Sequence, residues 1–148
     1  MQGEIDPAVV EYRKVVALKP DLFEGHFDLA LVLVKKGEPD SALEAYGRAA
    51  SLKPEDVETQ YNMGAIYFQK KEFEAARPHL EKAVAIDSTH AQAAKVLGFA
   101  LLQSEKKDLV GAEKMLRRYL ALEPQARDAE QIRDIVESLA AEPAAKKK

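Results

Sequence analysis

Catalysis in this chain would have to start from three histidines, His26, His79 and His90, set among 25 aspartates and glutamates. Imidazoles and carboxylates can ligate a metal or move protons, but only when their spacing brings them together. No HExxH, no pair of histidines at helical spacing, no glycine-rich phosphate loop and no serine elbow occurs. The absence of cysteine removes disulfides, thiolate metal sites and thiol nucleophiles in one step. The expectation is a non-enzyme with no catalytic residue, no metal ligand and no cofactor. His26 lies on an apolar helical stripe and reads as a partly buried structural residue, His79 falls on an outer helix, and His90 stands in a turn.

The elements around these histidines follow from composition and spacing. At 148 residues, 47% hydrophobic and 32% charged, with seven Gly and seven Pro, the chain has the make-up of one ordered, helix-rich domain. Its 22 basic and 25 acidic residues are interspersed, so no basic stripe exists to bind nucleic acid by counterion release. The longest apolar run, Leu29 to Val34, is too short to span a bilayer, and no membrane contact is expected from this segment.

A repeat dominates the sequence. Leu18, Leu52, Ile86 and Leu122 end four similar helical stretches at intervals of 34, 34 and 36 residues. Ala8, Ala42, Ala76 and Ala112 recur in the same register, each four residues before Tyr12, Tyr46, Leu80 or Leu116, which sets a small and a large side chain on one helical face. Acidic residues at Glu4, Glu38, Glu72 and Asp108 suit the start of a helix. Pro7, Pro39 and Pro78 are expected in the first turn of these second helices, and Pro20, Pro54 and Pro124 beyond their ends. The first helices carry their own stripe, His26/Leu29/Ala30/Leu33, Gln60/Met63/Gly64/Tyr67 and Ala94/Leu97/Gly98/Leu101, whose small member marks a close crossing.

A helix–turn–helix unit of 34 residues with these positions resembles the tetratricopeptide repeat family over roughly residues 3 to 124. The resemblance implies an all-α fold, a right-handed α-solenoid of antiparallel helix pairs. The expected organisation is an orphan second helix at 3–20, repeats at 21–54, 55–88 and 89–124, a capping helix at 125–140 and a flexible tail at 141–148. The third repeat holds two extra residues around Gln103–Lys107, read as a longer turn. The sequence departs from the family at His26, Gln60 and Ala94, where a large aromatic is usual, at Ser88 in place of the terminal proline, and at Lys71 in place of the turn glycine. By register, Gly3–Ala8 matches the turn Gly37–Ala42, so a helix is expected from Asp6 to Lys19 with its partner helix missing. Tyr12, Val15 and Val16 would normally pack in part on that partner, which favours a chain cut from a longer array and a sticky N-terminal end. Localisation is therefore left open, with the cytoplasm favoured and a periplasmic or membrane-anchored parent allowed for upstream.

Each first helix has a second face. It is read at Glu24, Phe27, Leu31, Val34 and Lys35, then Glu58, Tyr61, Ala65, Phe68 and Gln69, then Gln92, Lys95, Phe99, Leu102 and Gln103, and the groove is assigned to Phe27, Leu31, Val34, Tyr61, Asn62, Ala65, Phe68, Lys95, Phe99 and Leu102. The resemblance implies that first helices line the concave side of the superhelix, so these ten residues would form an apolar groove with polar edges. The expected function is a non-catalytic scaffold that binds a peptide or amphipathic helix of a protein partner there. The alternative reading in which these aromatics pack wholly on neighbouring helices would leave no groove. Asn62 and Lys95 also fall near the polar clamp by which family members grip the terminal carboxylate of heat-shock chaperones, but Phe27, Leu31 and Phe99 stand where its other donors are needed. Two further readings are a secretion or assembly chaperone working in a multiprotein complex, and a module that self-associates into homo-oligomers through its solenoid ends.

Overall fold

The structure is a computed structural model that describes residues 2–142, with side chains from Pro7 onward; residues 143–148, most of the expected flexible tail, lie outside the described residues. Among these residues there are eight α-helices and no strand: α1 (Gln2–Leu18), α2 (Phe23–Lys36), α3 (Pro39–Leu52), α4 (Val57–Gln69), α5 (Phe73–Ile86), α6 (Ala91–Gln103), α7 (Leu109–Leu122) and α8 (Ala129–Ala141). The fold is all-α, as the periodicity predicts.

Local chemistry sets several of the helix ends. The Asp56 carboxylate accepts from the Thr59 amide at 2.8 Å to open α4, and Asp108 accepts from the Gly111 amide at 2.7 Å to open α7. Pro39 occupies the first turn of α3, where its missing N–H is harmless. Gly37 closes α2 at φ +82°, with its N–H directed to the Leu33 and Val34 carbonyls. Lys71, in the turn between α4 and α5, has φ +61°, a left-handed backbone on a residue with a Cβ. Between α6 and α7 the connection runs over residues 104–108, and the Ser104 hydroxyl donates to the Ala100 carbonyl at 2.8 Å.

Two expectations at the second helices need correction. Helix α1 begins at Gln2 and runs through the residues read as a turn. Gly37 turns because it caps the carbonyls of the helix in front of it, whereas Gly3 lies within α1 and closes no helix there. Pro7 therefore lies inside α1, and Pro78 lies inside α5 as its sixth residue rather than in the first turn. Each forgoes one bond of the helical ladder.

Helices α2 and α3, α4 and α5, and α6 and α7 pack as pairs, α1 packs on α2, and α3, α5 and α7 each pack on the helix that follows. The closest crossings need glycine. A Cβ on Gly64 would lie 2.6 Å from Leu80 Cγ, and one on Gly98 would lie 2.7 Å from Leu116 Cδ2. The equivalent residue of α2 is Ala30, fully buried in the same core cluster as Tyr46, whose ring is fully buried as well. Burying such a side chain stabilises by about 1.5–3 kcal/mol.

Two of the three residues standing where an aromatic is usual, His26 and Gln60, serve as latches. His26 Nε2 donates to the Pro20 carbonyl at 2.8 Å, and Gln60 Nε2 to the Pro54 carbonyl at 3.4 Å. Arg133 does the same for the Pro124 carbonyl at 2.9 Å. His26 is thus a buried structural histidine. At the N-terminal end, a Cβ on Gly25 in α2 would lie 3.2 Å from Val15 Cγ1 and 3.3 Å from Val16 Cγ1, and both valines are half-buried, so they are not left bare. Ala8 and Tyr12 remain half-buried, although their counterparts Ala42/Tyr46, Ala76/Leu80 and Ala112/Leu116 are fully buried under a first helix.

Candidate functional site

The second face of the first helices is built on rows one helical turn apart. Phe27, Leu31 and Val34 come from α2, Tyr61, Asn62, Ala65 and Phe68 from α4, and Lys95, Phe99 and Leu102 from α6. None of the ten is buried: Val34 is 39% exposed and the other nine are half-buried. Phe27 and Leu31 have their footing in the core cluster of Leu29, Ala30 and Tyr46, whereas Tyr61, Phe68, Phe99 and Leu102 rest on that of Leu80, Leu97 and Leu116. Helices α4 and α6 also touch directly, which brings the last two rows side by side.

Ring contacts orient the aromatics. Phe27 lies edge-on to Tyr46 with centroids 5.6 Å apart, and stacks on Phe23 at the same distance. Phe68 meets Phe73 of α5 edge-on at 5.4 Å. The Tyr46 hydroxyl is buried without a hydrogen-bond partner among the described residues, and burial, reinforced by the Glu58 carboxylate, pushes it far above the usual phenol range.

Tyr61 packs on the His90 ring at 4.7 Å. His90 caps α6 by accepting the Ala93 amide at Nδ1, 3.0 Å away, so its proton sits on Nε2 and is donated to Glu58 at 3.2 Å. Burial, followed by the Glu58 charge, raises the Tyr61 hydroxyl above its ordinary value. At the other edge Lys53 sits 3.0 Å from Glu24 and 4.2 Å above the Phe23 ring centre. The arrangement is an apolar strip edged by groups already engaged with one another.

Lys95 is drawn to the end of the strip. Its ammonium is 3.0 Å from the Asp128 carboxylate and 4.9 Å from the Tyr119 ring centre, and Tyr119 donates its hydroxyl to the other Asp128 oxygen at 2.6 Å. A carboxylate of the same chain thus occupies the one lysine of the expected groove. Glu58 was read on this face; Asp128, Tyr119 and His90 were not among the residues predicted for it. Their signal in the sequence is weak: Glu58 and His90 lie 32 residues apart and Lys95 and Asp128 33 apart, just under one repeat.

Among the described residues no group of three or more His, Cys, Asp or Glu is placed to hold a metal ion, and no helix is long and apolar enough to cross a membrane.

The architecture has known counterparts. A family model described as "Tetratricopeptide repeat" matches residues 27–91, and one described as "TPR repeat" matches residues 1–37. No curated protein sequence matches significantly. A crystal structure of MamA superposes with a TM-score of 0.78 at 23% identity, over 93% of this chain and 85% of that one. The first TPR of Spaghetti (RPAP3), solved bound to the HSP90 peptide SRMEEVD, superposes with a TM-score of 0.71 at 27% identity, over 80% of this chain and 94% of that one. PilF from Pseudomonas aeruginosa superposes with a TM-score of 0.73 at 22% identity, over 97% of this chain and 72% of that one. The helix pairs, their small-residue crossings and these matches together show that the chain belongs to the tetratricopeptide repeat family.

Proposed function

We propose that this chain is a non-catalytic scaffold that binds a peptide or amphipathic helix of a partner protein along the first-helix face. The family assignment supports protein–protein interaction in general. The single observation behind the finer reading is that Phe27, Leu31, Tyr61, Phe68, Phe99 and Leu102 are anchored on the core while none of the ten residues is buried, which is what a preformed apolar groove requires. Three apolar anchors seated there at about 1.5–3 kcal/mol each give about 4.5–9 kcal/mol gross, from which the ordering of the peptide subtracts, so exchangeable binding in the micromolar range is expected. Lys95 is held by Asp128, and Phe27, Leu31 and Phe99 replace clamp donors, so the ligand is recognised by apolar side chains rather than by a terminal carboxylate.

The test is selection of peptides from a displayed library on the wild-type chain, with counter-selection on Phe68→Ala and Phe99→Ala variants, followed by calorimetry. Enriched peptides should carry apolar residues at helical spacing and lose roughly tenfold or more in affinity on either variant, with helicity by circular dichroism retained. Unchanged affinity would move the site elsewhere, and loss of helicity would make these residues core.

A further inference from the structure

Away from the Phe27, Leu31 and Val34 row of α2, the second helices α1 and α3 flank a cleft of about 600 Å³ whose floor includes Leu29, Leu33 and Ala45. We propose that this cleft is a separate binding site for a short acidic peptide segment that also carries an apolar side chain. Three observations lead there.

Space is the first. In register, Ala45 of α3 corresponds to His79 of α5 and Met115 of α7, and Gly47 corresponds to Glu81 and Arg117. The matching cleft between α5 and α7, with Met115 in its lining, is about 360 Å³. The α1/α3 cleft is larger because small residues stand where its counterparts carry long ones, and nothing lies within 4 Å of where a Cβ on Gly47 would be. Its volume falls in the range of about 300–1,000 Å³ that suits small ligands.

Charge is the second. Arg13 from α1 and Arg48 from α3 line the cleft, both exposed and neither with an ion-pair or hydrogen-bond partner among the described residues. Glu44 is on the same lining but makes no ion pair with Arg48 one turn away, which leaves the lining net positive. In the α5/α7 cleft Glu81 takes the place of Arg13 and is already bonded to Arg77 at 2.7 Å. Two unspent guanidinium groups over an apolar floor select a carboxylate with a hydrophobic neighbour.

The third is His26, nine-tenths buried in the same lining. Its Nε2–H is committed to the Pro20 carbonyl, so Nδ1 is left as an acceptor with no partner among the described residues. It suits a peptide N–H.

The experiment titrates the ¹⁵N-labelled full chain with a blocked pentapeptide Asp-Leu-Glu-Leu-Asp and with its neutral counterpart Asn-Leu-Gln-Leu-Asn. The acidic peptide should shift the Gly47 and Ser51 amides and the Arg13 and Arg48 side-chain N–H signals, and bind roughly tenfold or more tighter than the neutral one. Arg13→Glu with Arg48→Glu, both surface changes, should abolish those shifts. Ala45→Met, which installs the side chain found in α7, should abolish them with helicity by circular dichroism retained. Equal binding of the neutral peptide, undiminished binding to Ala45→Met, or no shift at millimolar peptide would overturn the proposal. Shifts confined to Phe27, Phe68 and Phe99 would overturn it too, while leaving the first-helix groove intact as a site.

Discussion

Asp128 stands at the N-terminus of α8, yet it makes no capping bond to its own helix and instead holds Lys95 of α6 at 3.0 Å. Asp56 and Asp108, at the starts of α4 and α7, cap their own helices. Helix α8 is therefore fastened by a tertiary contact, in addition to burial of Ile132, Val136 and Leu139. Asp128→Ala leaves the Tyr119 hydroxyl unpaired and should destabilise the chain by about 1–3 kcal/mol, nearer the low end because the pair keeps some solvent contact. Hydrogen exchange should show α8 amides losing protection while α4 amides keep theirs. Uniform loss would mean that α8 has no separate stability.

The same contact has a defined pH dependence. The Tyr119 hydroxyl, and then the Lys95 ammonium, hold the Asp128 carboxyl below its usual range. A lowered folded-state pKa gives stabilisation that is present above the ordinary value of about 3.9 and lost as pH falls through the lowered one. Tyr119 behaves oppositely: burial first, then Asp128, pushes it up to about 12, so its contribution is full below about 10 and lost as pH rises toward 12. Melting temperature should change little through neutral pH on account of this pair, and Asp128→Ala should shrink the acid-side fall. An acid limb identical in the variant would remove Asp128 from that role.

Gly64 and Gly98 are bound to their places by Leu80 and Leu116. Alanine gains up to about 1 kcal/mol of intrinsic helix propensity over glycine. Overpacking against a branched Cγ costs about 1–3 kcal/mol. Gly64→Ala should therefore destabilise on balance in urea titration, and in a double-mutant cycle its cost should be smaller in the Leu80→Ala background, where the clashing side chain is gone. Stabilisation by Gly64→Ala alone would contradict the crossing geometry.

Lys71 carries the left-handed backbone that Gly37 carries one repeat earlier. Lys71→Gly relieves about 1–2 kcal/mol of steric strain and returns part of it through the freer unfolded chain, so a gain of up to about 1 kcal/mol is expected by chemical denaturation. Loss of stability would show that the Lys71 side chain has a role of its own.

Sequence spacing carried far for the helices and less far for the contacts between them. The interval from Leu18 to Leu52 to Ile86 and the Ala–Tyr or Ala–Leu pairs were enough to predict helix pairs, because close crossings demand a small residue at fixed register. The start of α1 was misread because a glycine turn depends on the helix before it. Pro78 was misplaced because packing of Leu80 and Ala83 carries α5 past a proline that local preference sets near a helix start. The engagement of Lys95 by Asp128 and Tyr119 joins three helices, and no local pattern encodes such a meeting. The two-sided state of Phe27, Phe68 and Phe99 was equally hidden, since periodicity assigns a face but not how far a neighbour covers it.

The central claim is that a partner peptide lies along the first helices. Chemical-shift mapping of the ¹⁵N-labelled chain saturated with a library-selected peptide tests it most directly. Shifts should cluster on Phe27, Leu31, Tyr61, Ala65, Phe68, Phe99 and Leu102, with the amides of α3 and α5 unmoved. Shifts confined to the second helices, with that row undisturbed, would contradict it.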